Sequence, residues 1–141
     1  MFFKIILTSD SLHRYVKGAR SERELIDLFY RMEYSVIRSA GSGINSISPD
    51  ILVFKNGKGL AFECKAWNDT SLSLPKEKLR ALKLWQQNTN MPTYVAWRMN
   101  RTGWFFIKPE EFSERDKNYT LTSKTAIQIN RRFDALVSST L

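Results

Sequence analysis

The stretch from Ser48 to Lys65 has the sequence SPDILVFKNGKGLAFECK. Two apolar runs rich in β-prone residues flank the dipeptide Asn56-Gly57. An Asn-Gly pair between two such runs is the strongest short-range signal for a β-hairpin. We therefore predict two antiparallel strands joined by a tight turn, and the rest of the chain is interpreted outward from them.

The register of this hairpin brings two acidic residues together. A two-residue loop at Asn56-Gly57 places Asp50 opposite Glu63, and directly opposed residues share one face of a sheet with Cβ atoms roughly 4.5–5.5 Å apart. Strand alternation puts Lys65 on the same face as Glu63. A bulge at Gly59 is the alternative, and it would shift the register by one residue.

Two opposed carboxylates repel each other unless a cation neutralises them. A hard divalent cation such as Mg²⁺ prefers carboxylate oxygens together with water and phosphate oxygens. The pattern therefore predicts a Mg²⁺ site at Asp50 and Glu63, with Lys65 as a cationic neighbour and Mn²⁺ as a substitute metal. The alternative is that the two acids are ordinary ion-pair partners.

Composition and net charge limit the classes of function that this chain can have. The 141 residues fit a single domain, and the net charge of +8 favours a polyanionic partner, either nucleic acid or an anionic membrane surface. The chain has one cysteine, Cys64, and one histidine, His13, which leaves little material for Cys-His catalysis or a zinc site. We interpret Cys64 as a buried strand residue. No apolar run approaches the roughly 18 residues that span a membrane, so we expect an intracellular, cytoplasmic protein.

A helix is predicted before the hairpin, because apolar residues recur there at helical spacing. They are Leu25, Ile26, Leu28, Phe29 and Met32. Glu22 lies on the same face and is expected to point inward, whereas Glu24 and Asp27 are expected to be solvated. The alternative for Glu22 is a first-turn acid that interacts favourably with the helix dipole. A strand over residues 34–38 and a Gly-Ser loop over residues 39–48 follow, and they lead into Asp50.

A second helix is predicted to begin at Pro75, with a face that carries Lys76, Lys78, Arg80 and Lys83. This basic face suits contact with phosphates, although most such faces are simply solvated. Two strands over residues 93–98 and 104–107, an irregular segment over 110–119 and a helix from about Ser123 complete the chain. The predicted fold class is α/β, with a mixed central sheet flanked by helices.

Four motifs together resemble the archaeal-type Holliday junction resolvases, and the resemblance covers roughly residues 17–107. The spacing of Asp50, Glu63 and Lys65 is that of the restriction-endonuclease-like nuclease core. The motifs are Lys17-Gly18-Ala19-Arg20-Ser21-Glu22-Arg23-Glu24-Leu25-Ile26, Val36-Ile37-Arg38-Ser39-Ala40-Gly41-Ser42-Gly43, Pro49-Asp50-Ile51 and Glu63-Cys64-Lys65.

The resemblance implies a homodimeric, Mg²⁺-dependent endodeoxyribonuclease of this fold that cuts paired strands of four-way DNA junctions, with no small-molecule cofactor. The implied metal-binding residues are Glu22, Asp50 and Glu63. The implied catalytic residues are Glu22, Asp50, Glu63, Lys65 and Ser42. The predicted DNA-binding residues, which include two from the basic helix, are Arg23, Arg38, Ser42, Lys17, Lys76 and Arg80.

We predict one nuclease domain over residues 1–141, with an N-terminal extension (1–16), a core (17–107) and a C-terminal segment with a helix (108–141). Two departures from the family pattern are the residues before Lys17 and the helix that carries Leu84, Trp85 and Asn88. Such divergence suits a viral or mobile-element copy, which would act in the host cytoplasm. Two other functions stay open: a related nuclease acting on duplex, nicked or flapped DNA, and a non-catalytic DNA-binding protein.

Overall fold

The computed structural model describes residues 9–39 and 47–139. Within these ranges the helices are α1 (Ser9–Arg31), α2 (Lys76–Thr89), α3 (Ser123–Ile129) and α4 (Phe133–Ser138). The strands are β1 (Ser35–Arg38), β2 (Ile51–Lys55), β3 (Lys58–Ala66), β4 (Ser71–Pro75), β5 (Thr93–Met99), β6 (Gly103–Ile107), β7 (Ser113–Glu114) and β8 (Asn118–Thr122). A 3-10 turn covers Pro109–Glu111.

The main sheet has five strands in the order β1-β2-β3-β5-β6. All neighbouring strands are antiparallel except β3 and β5, which are parallel and are connected through β4 and α2. The sheet is thus mixed and lies between helices, which confirms the predicted α/β class.

The hairpin that dominates the sequence forms with the predicted register. Ile51 pairs with Phe62 and Lys55 with Lys58. Asn56 and Gly57 both have positive φ angles, 54° and 77°, as a tight two-residue hairpin turn requires. Gly59 pairs with Phe54 inside the ladder, so the bulge that would have shifted the register does not occur.

Each face of the main sheet carries its own apolar core, because the side chains of every strand alternate between the two faces. One core joins α1 and α4 to the sheet through Phe29, Phe62 and Phe106. The other joins α2, α3 and the smaller sheet through Leu79, Trp97 and other side chains. Glu63 therefore points away from α1 and toward the α2 side.

Three segments differ from the sequence-based expectation. Residues 110–119 were expected to be irregular, but they contain most of the 3-10 turn, β7 and the start of β8. Residues 71–75 form β4, which pairs with β8 in a second sheet of order β4-β8-β7. The sequence contained a strand signal, because Leu72 and Leu74 alternate with serines, and both leucines are buried. The strand ends at Pro75, where the helix was predicted to begin. The single C-terminal helix is also wrong. It starts at Ser123 as predicted, but Asn130 adopts a left-handed conformation and separates α3 from α4.

The first helix begins at Ser9, well before Lys17, where the recognisable motifs start. Of the helices in residues 9–39 and 47–139, none combines the length and apolar character that a membrane crossing requires.

Candidate active site

The site is centred on Glu63, which lies in the middle of β3 between the hairpin partner β2 and the parallel strand β5. Its side chain is 6% exposed, and acidic side chains are rarely buried so deeply without a partner. Asp50 lies one residue before β2, at the position opposite Glu63 in the extended register. The structure therefore brings together the two acids that the hairpin register predicted.

Asp50 is fixed by the backbone around it. Its Oδ2 accepts a hydrogen bond of 2.8 Å from the N–H of Cys64, and its carbonyl accepts one of 2.8 Å from the N–H of Ser39. The first bond ties the Asp50 carboxylate to β3, beside Glu63. The second joins Asp50 to the residue that follows β1. This carboxylate is thus held in place before any ligand binds.

The pKa of the Glu63 carboxyl is shifted by burial and by neighbouring charges. Burial and the nearby charge of Asp50 raise the pKa of the Glu63 carboxyl from 4.5 to about 7, against the opposing effect of Lys78 and Lys65. A buried carboxyl whose pKa is raised by a second carboxylate is typical of functional sites. The pair is electrostatically costly in the absence of a bound cation.

Two lysines lie beside Glu63. Lys78, on α2, places its Nζ 3.2 Å from Oε1 of Glu63, a buried atom that has no other hydrogen-bond partner among the described residues. Lys65 is two residues along β3 on the same face, as predicted, and is partly buried. From the sequence alone, Lys78 is expected only to be part of a basic helix face. The spacing of Lys78 could have indicated that it points toward the core. Lys78 lies four residues before the buried Leu82 and therefore borders the apolar stripe of α2.

Glu22 approaches the site from α1. Its side chain is 17% exposed and pairs with Nε of Arg38 on β1. Glu22 lies far beyond the first turn of a helix that begins at Ser9, so the helix-dipole interpretation is wrong and the inward orientation is confirmed.

The acids are close enough to influence the same thiol. Burial, followed by the charges of Asp50, Glu22 and Glu63, raises the pKa of the Cys64 thiol well above its ordinary value. The thiol is therefore neutral at physiological pH, as expected for a packing residue rather than a nucleophile. Asp50, Glu22 and Glu63 therefore all lie within electrostatic reach of Cys64.

Asp50 and Glu63 supply the oxygen donors that a hard divalent cation prefers, and the unsatisfied Oε1 of Glu63 suits a metal ligand. Within residues 9–39 and 47–139, however, no three Asp, Glu, His or Cys side chains are arranged closely enough to hold a metal ion. Glu22 is turned toward Arg38 instead. A two-carboxylate site thus fits this geometry, and the contribution of Glu22 stays a prediction.

Within the described ranges, the predicted DNA-binding residues lie on three elements, α1, β1 and α2. Arg23 is exposed on α1, and Arg80 is exposed on α2. Lys76 forms a 3.1 Å ion pair with Glu114, and Lys17 is partly buried at a cleft beside α1. Ser42 lies outside the described residues.

Glu24 was expected to be solvated, and its side chain is 42% exposed, but it is also bound by two neighbouring strands. Its carboxylate accepts hydrogen bonds from Nε of Arg98 at 3.0 and 3.1 Å and from Nε1 of Trp104 at 2.9 Å. Arg98 on β5 and Trp104 on β6 are the donors, and both lie more than 70 residues after Glu24 in the sequence. Helical periodicity around Glu24 carries no information about them. Arg98 also lines a cleft of about 360 Å³ together with Lys17 and Arg20.

Comparison with known proteins identifies the family. Residues 13–141 match the family model of the archaeal Holliday junction resolvase (Hjc). The chain belongs to this family. It is similar to the crossover junction endodeoxyribonuclease Hjc of Methanocaldococcus jannaschii, with 34% identity over 113 residues that cover 79% of this chain and 80% of that protein. It is also similar to the Hjc of Archaeoglobus fulgidus, with 28% identity over 106 residues that cover 74% and 78% of the two chains.

The structural comparison agrees. The fold superimposes on the solved structure of Archaeoglobus fulgidus Hjc, a Holliday junction resolvase, with a TM-score of 0.75 and 25% identity. The match covers 85% of this chain and 98% of that one. The predicted family, the restriction-endonuclease-like fold and the enzyme class, an endodeoxyribonuclease, are thereby confirmed. Membership in this nuclease family also implies a requirement for a divalent metal ion.

Proposed function

We propose that this chain is a Mg²⁺-dependent endonuclease that resolves four-way DNA junctions as a homodimer. The observation that carries the proposal is the buried Glu63 carboxylate beside Asp50, in a chain of the Hjc family. The net charge of +8 supports a polyanionic substrate.

Asp50 and Glu63 would hold the cation, and Glu22 would complete or orient its surroundings. When bound, the cation supplies positive charge that stabilises the attacked phosphate and makes a water molecule a better nucleophile. Lys65 lies on the face of Glu63 and contacts the phosphate or orients the attacking water. The fixed carboxylate of Asp50 requires little rearrangement before reaction, because the N–H of Cys64 already holds it.

The remaining predicted residues bind the DNA backbone. Arg23 lies on α1, Arg38 lies on β1, and Ser42 falls between β1 and Asp50 in the sequence. Lys17 lies on α1, Lys76 and Arg80 lie on α2, and each of them contacts DNA phosphates. Contacts to phosphates position a nuclease but carry no base sequence, which suits recognition of a junction by shape.

A homodimer follows from the symmetry of the substrate. Resolution requires one cut in each of two strands related by two-fold symmetry, and a dimer with an isologous interface presents two identical sites in that relation. One chain contributes a single Asp50–Glu63 pair, so paired cutting requires two copies.

The test is cleavage of end-labelled four-way junction, linear duplex and flap DNA, with Mg²⁺, with Mn²⁺ and with chelator. We expect symmetric nicks in the junction with either metal and none with chelator, and sedimentation should show a dimer at the assay concentration. Equal cutting of duplex or flap DNA would favour the broader nuclease function. Binding without cleavage in both metals, or a monomer that cuts, would contradict the proposal.

A further inference from the structure

The contact between Lys78 and Glu63 is unusual among the ion pairs of the described residues. The side chains of Lys78 and Glu63 are 19% and 6% exposed, which makes this pair the most buried one in residues 9–39 and 47–139. Lysine and glutamate are rarely removed from water together, because the desolvation of both charges offsets much of their attraction. Net stability is therefore a weak explanation for this pair.

The contact involves a buried oxygen of Glu63. Lys78 Nζ lies 3.2 Å from Oε1 of Glu63, a buried atom that has no other hydrogen-bond partner among the described residues. The ammonium supplies positive charge to this oxygen and lowers the pKa of the Glu63 carboxyl, against the effects of burial and of Asp50. A bound divalent cation would also supply positive charge to this oxygen.

We propose that Lys78 is the internal counter-ion of the metal site and that it stabilises Glu63 in the metal-free protein until a divalent cation displaces it. The inference rests on the proposed metal site at Asp50 and Glu63. Without Lys78, the metal-free protein would bury Glu63 beside Asp50 with only Lys65 to oppose the two negative charges. With Lys78 in place, the incoming cation must displace the ammonium or bind close to it.

The position of Lys78 permits this displacement. It is the third residue of α2, whose neighbouring residues Leu79 and Leu82 are packed in the core, so the helix stays fixed while the flexible lysine stem moves. Lys78 is thus a positioning residue that sets the metal affinity of the free protein. The consequence is a protein that binds its cation weakly in the absence of DNA.

The experiment measures Mn²⁺ binding to the DNA-free protein, by electron paramagnetic resonance of the unbound ion. Lys78→Met and Lys78→Gln are expected to lower the Kd for Mn²⁺ about tenfold, because each removes a positive charge next to the cation. Lys78→Arg retains the charge and is expected to bind like the wild type. Lys83→Met is the matched control, since it removes the same charge from an exposed position of the same helix.

A second measurement supports the first. Mn²⁺ is expected to raise the melting temperature of Lys78→Met and Lys78→Gln more than that of the wild type, because tighter binding stabilises the folded state more. The use of two uncharged substitutions keeps the test valid if one of them fails to fold.

Unchanged or weaker Mn²⁺ binding by both uncharged variants would overturn the role of Lys78, and so would equally tighter binding by Lys83→Met. If the wild type binds Mn²⁺ and Lys78→Met binds it equally well, only this inference fails. If neither protein binds Mn²⁺, the proposed metal site fails with it.

Discussion

Asp50→Asn and Glu63→Gln are each expected to slow junction cleavage in Mg²⁺ by about 10³-fold or more while leaving junction binding in place. Each substitution preserves the shape of the side chain and removes the negative charge that we propose holds the cation. The fold should survive in Asp50→Asn, because the amide oxygen of asparagine can still accept the hydrogen bond from the N–H of Cys64. The measurements are single-turnover cleavage and a gel-shift assay on the same labelled junction.

Two exposed acids provide matched controls. Asp116→Asn and Glu77→Gln make the same chemical changes at surface positions. Both are expected to cleave at the wild-type rate. Wild-type cleavage by Asp50→Asn or by Glu63→Gln would show that the catalytic acids lie elsewhere.

The stability of the metal-free protein is expected to depend on pH through the Glu63 carboxyl. The pKa of Glu63 is about 7 in the folded protein and 4.5 as the ordinary value, so the folded state holds one more proton than the unfolded state between these values. The free energy of unfolding of the metal-free protein is therefore expected to fall as the pH rises from 4.5 to 7. The full loss is about 3 kcal/mol, and it is complete about one pH unit above the folded pKa.

Glu63→Gln removes this titration, because the amide has no proton to lose. Urea unfolding in chelator at pH 5 and pH 8 should show a smaller loss of stability for Glu63→Gln than for the wild type, with Glu77→Gln behaving like the wild type. At pH 8, Mg²⁺ should stabilise the wild type more than Glu63→Gln. Identical pH dependence in the wild type and in Glu63→Gln would contradict the raised pKa.

The hairpin could be predicted from sequence because its signals are local. Asn56-Gly57 specifies the turn, the turn fixes the register, and the register brings Asp50 to Glu63 without any knowledge of the rest of the fold. The helical face of Glu22 was predictable for the same reason, since helical periodicity extends over only a few residues. These two elements were enough to predict the acids of the site.

The surroundings of the acids could not be predicted in the same way. Lys78 reaches Glu63 only because α2 packs against the sheet after an intervening strand, β4, which the sequence analysis missed. Arg98 reaches Glu24 across 74 positions of sequence. Such contacts depend on how whole elements pack, and no short-range pattern encodes them. The same holds for the pairing of β4 with β8.

Anomalous diffraction from crystals soaked in Mn²⁺ locates the cation without reference to activity. We expect one anomalous peak between the carboxylates of Asp50 and Glu63, within about 2.5 Å of an oxygen from each, with the ammonium of Lys78 moved away from Oε1. A peak bound to other residues, or none at this site while Lys78 still contacts Glu63, would contradict a metal-dependent nuclease centre at the hairpin.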